Sequence, residues 1–180
     1  MSQELATTSY ALLGLLAFGD GLTGYELKQR ADKTLRFYWV SPAMSQVYSE
    51  LTRLEELALV TVSTQARGRR TIRRYHLTDA GSTALRQWLA RPPAEFPTLK
   101  HPIALRLLMG HLIDPGVRRA MLDEYLRALA RRRIELQAVR DSLGDEPAVR
   151  FPAMVADWGL DYYASERAMV SELRRRLEDA

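Results

Sequence analysis

Five arginines, Arg67, Arg69, Arg70, Arg73 and Arg74, fall between Leu59 and Thr78, and no Asp or Glu accompanies them. A cationic stretch without acids has no local counter-charge, so the chemistry it offers is recognition of a polyanion, whose phosphates each take a guanidinium through paired N–H donors. Upstream, Ser45, Gln46, Ser49, Thr52 and Arg53 recur at the three-to-four spacing of one helix face, with Glu50 the only early acid. Short hydroxyl and amide side chains of this kind suit base edges and phosphate oxygens. Tyr48 sits among them with a hydroxyl for a phosphate or a ring for the core.

Other chemistries have no foothold. The chain has no Cys, which excludes disulfides, thiolate metal sites and a cysteine nucleophile and fits a reducing, cytoplasmic setting. His76, His101 and His111 lack metal-ligand spacing, and there is no HExxH, nucleophile elbow, Walker loop or dinucleotide fingerprint. No enzyme activity, metal or cofactor is expected. The longest apolar run, Tyr10 to Phe18, is about half the length of a membrane span, so no membrane partner is expected either.

The elements that must position these residues follow from pattern. A nearly all-apolar helix runs from about Thr8 to Phe18, and a second opens with the capping box Thr23-Gly24-Tyr25-Glu26 and reaches about Asp32. A third is expected to start with Ser41 as cap and Pro42 as first helical residue, its stripe being Met44, Val47, Leu51, Leu54 and Leu57. Residues 59–64 and 71–78 read as strands of a hairpin joined by Gln65 to Arg70, with Arg73, Tyr75 and Leu77 on one face. Thr78 then caps a helix to Leu89. Helices followed by an arginine-tipped hairpin make a winged helix-turn-helix, whose reader helix fits a major groove about 12 Å wide.

Composition divides the chain. With 180 residues, 47% hydrophobic and 27% charged, it suits one large or two small globular domains. Three prolines between Pro92 and Pro97 mark a boundary, giving a DNA-binding domain at 1–91 and a helical domain at 92–180. The first part carries twelve Lys/Arg against eight Asp/Glu and the second fourteen of each, so the formal charge of +4 belongs to the first. The fold class is mainly α.

In the second part a short helix is expected over Pro102 to Leu112, then long ones over Val117 to Leu143 and Pro152 to Leu177. Leu122, Leu129, Leu136 and Leu143 recur every seven residues with Tyr125 on the same seam, which implies a helical partner. Met154, Trp158, Tyr162, Met169, Leu173 and Leu177 share a face of the last helix. The expected dimerisation residues are therefore Leu122, Tyr125, Leu129, Leu136, Trp158, Tyr162, Met169 and Leu173. The triplets Arg131-Arg132-Arg133 and Arg174-Arg175-Arg176, set among acids, read as solvated or salt-bridged faces.

The chain resembles the PadR family of bacterial transcriptional regulators. The resemblance lies in Tyr10-Ala11-Leu12-Leu13-Gly14-Leu15-Leu16, Thr23-Gly24-Tyr25-Glu26-Leu27, the stretch from Gln46 to Glu55, Gly68-Arg69-Arg70 and the stretch from Arg74 to Gly81, with a looser match from Gly159 to Glu166. Ser49 and Ala58 depart from it, standing where many relatives have Pro and Gly. The resemblance implies a homodimeric repressor that dimerises through its final helices and, in many members, releases DNA on binding a small molecule. On this reading Ser45, Gln46, Tyr48, Ser49, Thr52, Arg53, Arg67, Arg69, Arg70 and Arg74 contact double-stranded DNA with a near-palindromic operator. Trp39 and Trp158, first of all packing residues, are the candidate contacts for a small aromatic effector. The competing reading is a protein–protein interaction module that dimerises through the same C-terminal helices without binding DNA.

Overall fold

Leucine clustering near the chain start forms α1 (Thr7–Ala17), which buries Leu12, Leu13, Leu15 and Leu16 as the centre of the first core. The computed structural model describes residues 5–19, 21–67, 70–92, 100–144 and 146–178, the side chains of Arg67, Arg70 and Glu178 lying outside that description. Two units form, Met1–Phe96 and Pro97–Ala180.

In the first unit α1 is followed by α2 (Gly24–Thr34), a single 3-10 turn at Leu35–Phe37, α3 (Met44–Glu56), the strands β1 (Val60–Arg67) and β2 (Arg70–Leu77), and α4 (Asp79–Leu89). This is a winged helix-turn-helix. The capping box of α2 is closed in both directions: the Glu26 backbone N–H donates to Thr23 Oγ1 at 3.1 Å, and the Thr23 N–H donates to Glu26 Oε2 at 2.8 Å. Val47, Leu51 and Leu54 of α3 are fully buried against Leu12, Leu13 and Leu27.

Ser41 does not cap α3. The helix starts two residues later, after an extended Ala43, and the Ser41 hydroxyl is engaged by α2 instead, donating to Asp32 Oδ1 at 2.6 Å and accepting from Lys28 Nζ at 3.4 Å. Leu57, expected on the α3 stripe, lies past its end and is exposed. The end itself is a Schellman turn: the Leu59 N–H returns to Leu54 O at 2.9 Å and the Ala58 N–H to Glu55 O at 2.9 Å, with Ala58 at φ +55°. That is the left-handed region, where a Cβ is strained.

The hairpin is longer than the sequence suggests. Pairing runs from Val60 with Leu77 out to Arg67 with Arg70, leaving Gly68-Arg69 between the strands, outside the described residues. Outside the two strands, Leu22 forms a single antiparallel bridge, exchanging both backbone hydrogen bonds with Tyr75. Thr78 caps α4 by accepting from the Gly81 N–H, and a Cβ at Gly81 would stand 2.1 Å from the Leu59 carbonyl oxygen.

The second unit holds α5 (Pro102–Leu108), a 3-10 turn at Gly110–Leu112, α6 (Pro115–Ser142), a 3-10 turn at Pro147–Val149 and α7 (Arg150–Glu178). The helix expected to reach Leu112 stops at Leu108. The partner implied by the leucine repeat is α7 of the same chain: Leu122, Leu129 and Leu136 are buried in this unit, as are Ala156, Tyr163 and Val170 on α7. These three leucines, expected at a subunit interface, are thus used within the chain, because a short turn holds the two long helices together at high effective concentration. Arg140 with Asp157 at 2.7 Å and Arg174 with Asp123 at 2.6 Å clasp the two ends of the hairpin.

Replacing Ala58 by Gly removes the left-handed strain and is expected to stabilise the protein by about 1 kcal/mol, visible as a melting temperature raised by a few degrees. Gly81→Ala, which must displace backbone, is expected to cost about 1–3 kcal/mol. A melting temperature for Ala58→Gly at or below that of the wild type contradicts the described turn.

Candidate nucleic-acid interface

Four contacts seat α3. Val47, Leu51 and Leu54 supply the apolar one. At the crossing with α2, the Tyr48 ring lies where a Cβ on Gly24 would approach to 2.6 Å, so this glycine permits the close packing of the helix-turn-helix. On the other side Glu50 accepts a hydrogen bond from the buried Ser9 hydroxyl of α1. Glu55 takes the Arg73 guanidinium of β2 at 2.6 Å.

The acids of α3 other than its last residue are thereby turned to other elements. What the helix presents outward is Ser45, Gln46, Ser49 and Thr52, all exposed, with Arg53 half-buried and without an acidic partner among the described residues. Ser49 donates to Gln46 O at 3.0 Å and Thr52 to Tyr48 O at 3.1 Å. Their hydroxyl protons are used within the helix, so their free lone pairs face outward as acceptors. Gln46 keeps an amide with both donor and acceptor. Such a face can take a base edge in a groove. Tyr48 is placed by its ring at the α2 contact and is about half exposed.

The wing arginines separate into two sets. Arg73 lies over the Tyr75 ring at 5.5 Å and is paired with Glu55. Arg74 donates from Nη1 to Gly21 O at 2.5 Å and stands 3.4 Å from Glu26 Oε2, so it ties β2 to the turn before α2. It is committed to the fold, and the acceptor was invisible in the sequence because it lies 53 residues away. Arg67 and Arg70 form the last described pair of the hairpin; their side chains, and Arg69 altogether, lie outside the described residues.

Electrostatics reinforces the frame. The Glu26 carboxyl is held below its usual range, first by hydrogen bonds from the Thr23 backbone and side chain, then by the charges of Arg74 and Arg30. Asp32 is lowered by Lys28 and then by Ser41. Among the described residues, no group of His, Asp and Glu is arranged to hold a metal ion, and no helix is long and apolar enough to cross a membrane.

The second unit presents a different surface. Trp158, Tyr162, Met169 and Leu173 are exposed along α7, the rings of Trp158 and Tyr162 stacking at 6.0 Å, with Phe151 and Met154 continuing the face. Trp39, after the 3-10 turn in the first unit, is 41% exposed. Tyr125 is not on an open seam: its hydroxyl donates to the buried Glu166 at 3.3 Å and lies 3.1 Å from His101 Nε2. His101 Nδ1 accepts from the Ala104 N–H and caps α5, so its proton sits on Nε2, 2.5 Å from Glu166 Oε1. Burial first, and the Glu166 charge second, push the Tyr125 hydroxyl well above the usual phenol range. Sequence reasoning missed this cluster and the Leu22 bridge. Neither leaves a local signal, since one joins three helices and the other is a single bridge.

Residues 12–87 match the model of the transcriptional regulator PadR-like family, and residues 99–178 match that of the virulence activator alpha C-terminal region. Curated proteins show no match. Among solved structures, Bacillus subtilis PadR in complex with operator DNA superposes with a TM-score of 0.84 at 22% identity, covering 96% of this chain and 99% of that one. The same regulator in complex with p-coumaric acid gives 0.76 at 21% identity, over 96% and 99%. The Vibrio cholerae virulence activator AphA gives 0.72 at 22% identity, over 95% and 98%. At these identities the likeness is one of fold.

Because the Glu26 carboxyl titrates lower in the folded chain than in the unfolded one, its contribution is complete above the unfolded value near 4.5 and is lost as pH falls through the lowered one. Glu26→Gln keeps a cap acceptor and removes the titration. Melting temperatures followed from about pH 6 to pH 3.5 are expected to fall less steeply for the variant; parallel profiles contradict the capping role.

Proposed function

The chain belongs to the PadR-like family of transcriptional regulators, in the longer form with a helical C-terminal region, and from that premise we propose that it is a homodimeric repressor. It reads a near-palindromic operator by placing α3 in the major groove and the β1–β2 wing on the flanking backbone. The observation that carries this reading is the outward face of α3, where Ser45, Gln46, Ser49 and Thr52 stand free while Glu50 and Glu55 are held by Ser9 and Arg73. Pairing Glu50 and Glu55 within the fold lowers the repulsion that a helix carrying free acids would meet in a polyanion's groove.

The assigned roles follow. Gln46 and Ser49 contact bases; Arg53, Arg67, Arg69 and Arg70 contact phosphates; Tyr48 and Arg74 position the helix and the wing rather than touch DNA. Residues 1–91 act as the DNA-binding part and 92–180 as the dimerising part. The exposed α7 face with Trp158, Tyr162, Met169 and Leu173 meets its counterpart in a second copy, since an apolar stripe of aromatic and Met side chains is what a homodimer interface buries. A two-fold dimer would set its reader helices about 34 Å apart, one turn of duplex. The chain performs no catalysis and works in the cytoplasm, where the DNA of a bacterial regulator is.

Release by a small aromatic effector completes the reading. It is supported by the exposed indoles of Trp39 and Trp158 and by the p-coumaric acid complex of the Bacillus subtilis neighbour. Such a ligand acts only if it binds the DNA-competent and released forms unequally.

If a dimer neutralises about 6–10 phosphates, raising salt from about 50 to 200 mM is expected to weaken operator binding by about 10³–10⁵-fold in a fluorescence anisotropy titration. Arg69→Ala with Arg70→Ala lowers affinity for all sequences and flattens that salt slope, whereas Gln46→Ala costs about 1–3 kcal/mol on the operator and little on random DNA. A flat salt response, or equal losses for Gln46→Ala on both DNAs, overturns the assignment. Trp158→Glu with Met169→Glu is expected to give a monomer in sedimentation; an unaltered dimer refutes the α7 interface.

A further inference from the structure

The first helix of the second unit, α5, has only seven residues, and a helix that short is held by tertiary contacts and end caps rather than by itself. Ile103 is buried with Leu122 and Val170, and Leu107 packs partly beside them, while Leu105 and Leu108 are exposed. The N-terminal anchor of α5 is His101. Its Nδ1 lone pair accepts the Ala104 N–H at 3.1 Å, and its Nε2–H donates to Glu166 Oε1 at 2.5 Å. The His101 and Glu166 side chains keep only 11% and 8% of their surface exposed, so little water reaches to replace their bonds.

The two nitrogens answer to opposed demands. A carboxylate at Nε2 favours the imidazolium, whereas a backbone N–H aimed at Nδ1 requires a lone pair there. The imidazolium has no lone pair, and no rotation of the ring supplies one. A second proton therefore turns the Nε2 bond into an ion pair and leaves the Ala104 N–H facing another donor. The neighbouring phenol does not take part in this exchange. Tyr125 of α6 stands edge-on to the imidazole at 5.3 Å, and burial first, then the Glu166 charge, hold its hydroxyl well above the usual phenol range. Tyr162 and Tyr163 of α7 act on that hydroxyl in the same direction, and Arg106, on α5 itself, is turned to the Pro102 carbonyl.

We propose that His101 is a proton-operated latch on α5. With one proton the ring caps the helix and ties it to Glu166; with two it keeps Glu166 and gives up the cap, which frees the first turn of α5. Imidazole is the side chain that changes charge between about pH 5 and 8, and that is the range over which the latch acts. It lies within the second unit and does not depend on the DNA-binding reading.

The isotope-labelled full chain is followed by NMR from about pH 8 down to about pH 5. At the upper end His101 is expected to show its proton on Nε2 and a bare Nδ1. On acidification Nδ1 gains a proton and the Ala104 amide resonance moves with the same midpoint. Hydrogen-exchange protection of Leu105 to Leu108 then falls about fivefold, the equivalent of one lost cap, while Leu129 and Leu136 of α6 keep theirs. His101→Asn retains a cap acceptor that does not titrate, so its α5 protection is expected to stay level over the same range. Glu166→Gln removes the anion and is expected to move the transition to lower pH; should that buried substitution fail to fold, the wild-type titration and His101→Asn decide the matter. A protonated Nδ1 at the upper end, a bare one at the lower end, or α5 protection indifferent to the imidazole would each overturn the proposal. So would the same loss in His101→Asn, an unmoved transition in folded Glu166→Gln, or a loss shared by Leu129 and Leu136.

Discussion

An acid on the outward face of a groove-reading helix would repel the phosphates on either side of it, and the first unit is built around avoiding that. Glu50 and Glu55 are both present in α3, yet one accepts from the buried Ser9 of α1 and the other pairs with Arg73 of β2. The same bonds that neutralise the helix also fix it to its neighbours. Engaging these two acids and fixing the reader helix are done by one set of contacts, with the Tyr48 ring packed at Gly24 beside them. Rigid placement matters because base recognition depends on side chains held to a fraction of an ångström by their supports.

The wing obeys the same economy. Arg73 and Arg74 are spent on Glu55, Gly21 and Glu26, and they tie β2 both to the reader helix and to the turn before α2. These contacts fasten the hairpin to the helix-turn-helix at both places. In the second unit the leucine repeat of α6 is consumed by α7, and a buried His101–Tyr125–Glu166 cluster seats α5 on that hairpin. Only after these internal demands are met does α7 display the apolar stripe that a second copy can cover.

Much of this was legible in the residues. The capping box, the apolar stripes and the hairpin are local signals: Thr23 and Glu26 are three apart, and Val47, Leu51 and Leu54 mark one face by spacing alone. The departures share one cause, partners distant in the chain. Ser41 had a good cap pattern but found Asp32 on another helix. Arg74 belonged by composition to a cationic wing but met a carbonyl and a carboxylate from the turn and start of α2. Leu122, Leu129 and Leu136 announced a helical partner without stating whether it belonged to the same chain. Ala58 shows a converse case, a residue poorly suited to its left-handed backbone that is nonetheless held there by the Schellman bonds around it. For the candidate site, residue types located the face of α3, but not that its acids are turned away.

The most direct test of the central claim is selection of bound duplexes from random DNA at moderate salt, followed by footprinting of the winners. The account predicts an enriched motif of two inverted half-sites about one helical turn apart, protected together by one dimer. Recovery of no motif, or of a single unrepeated half-site occupied by one chain, would contradict it.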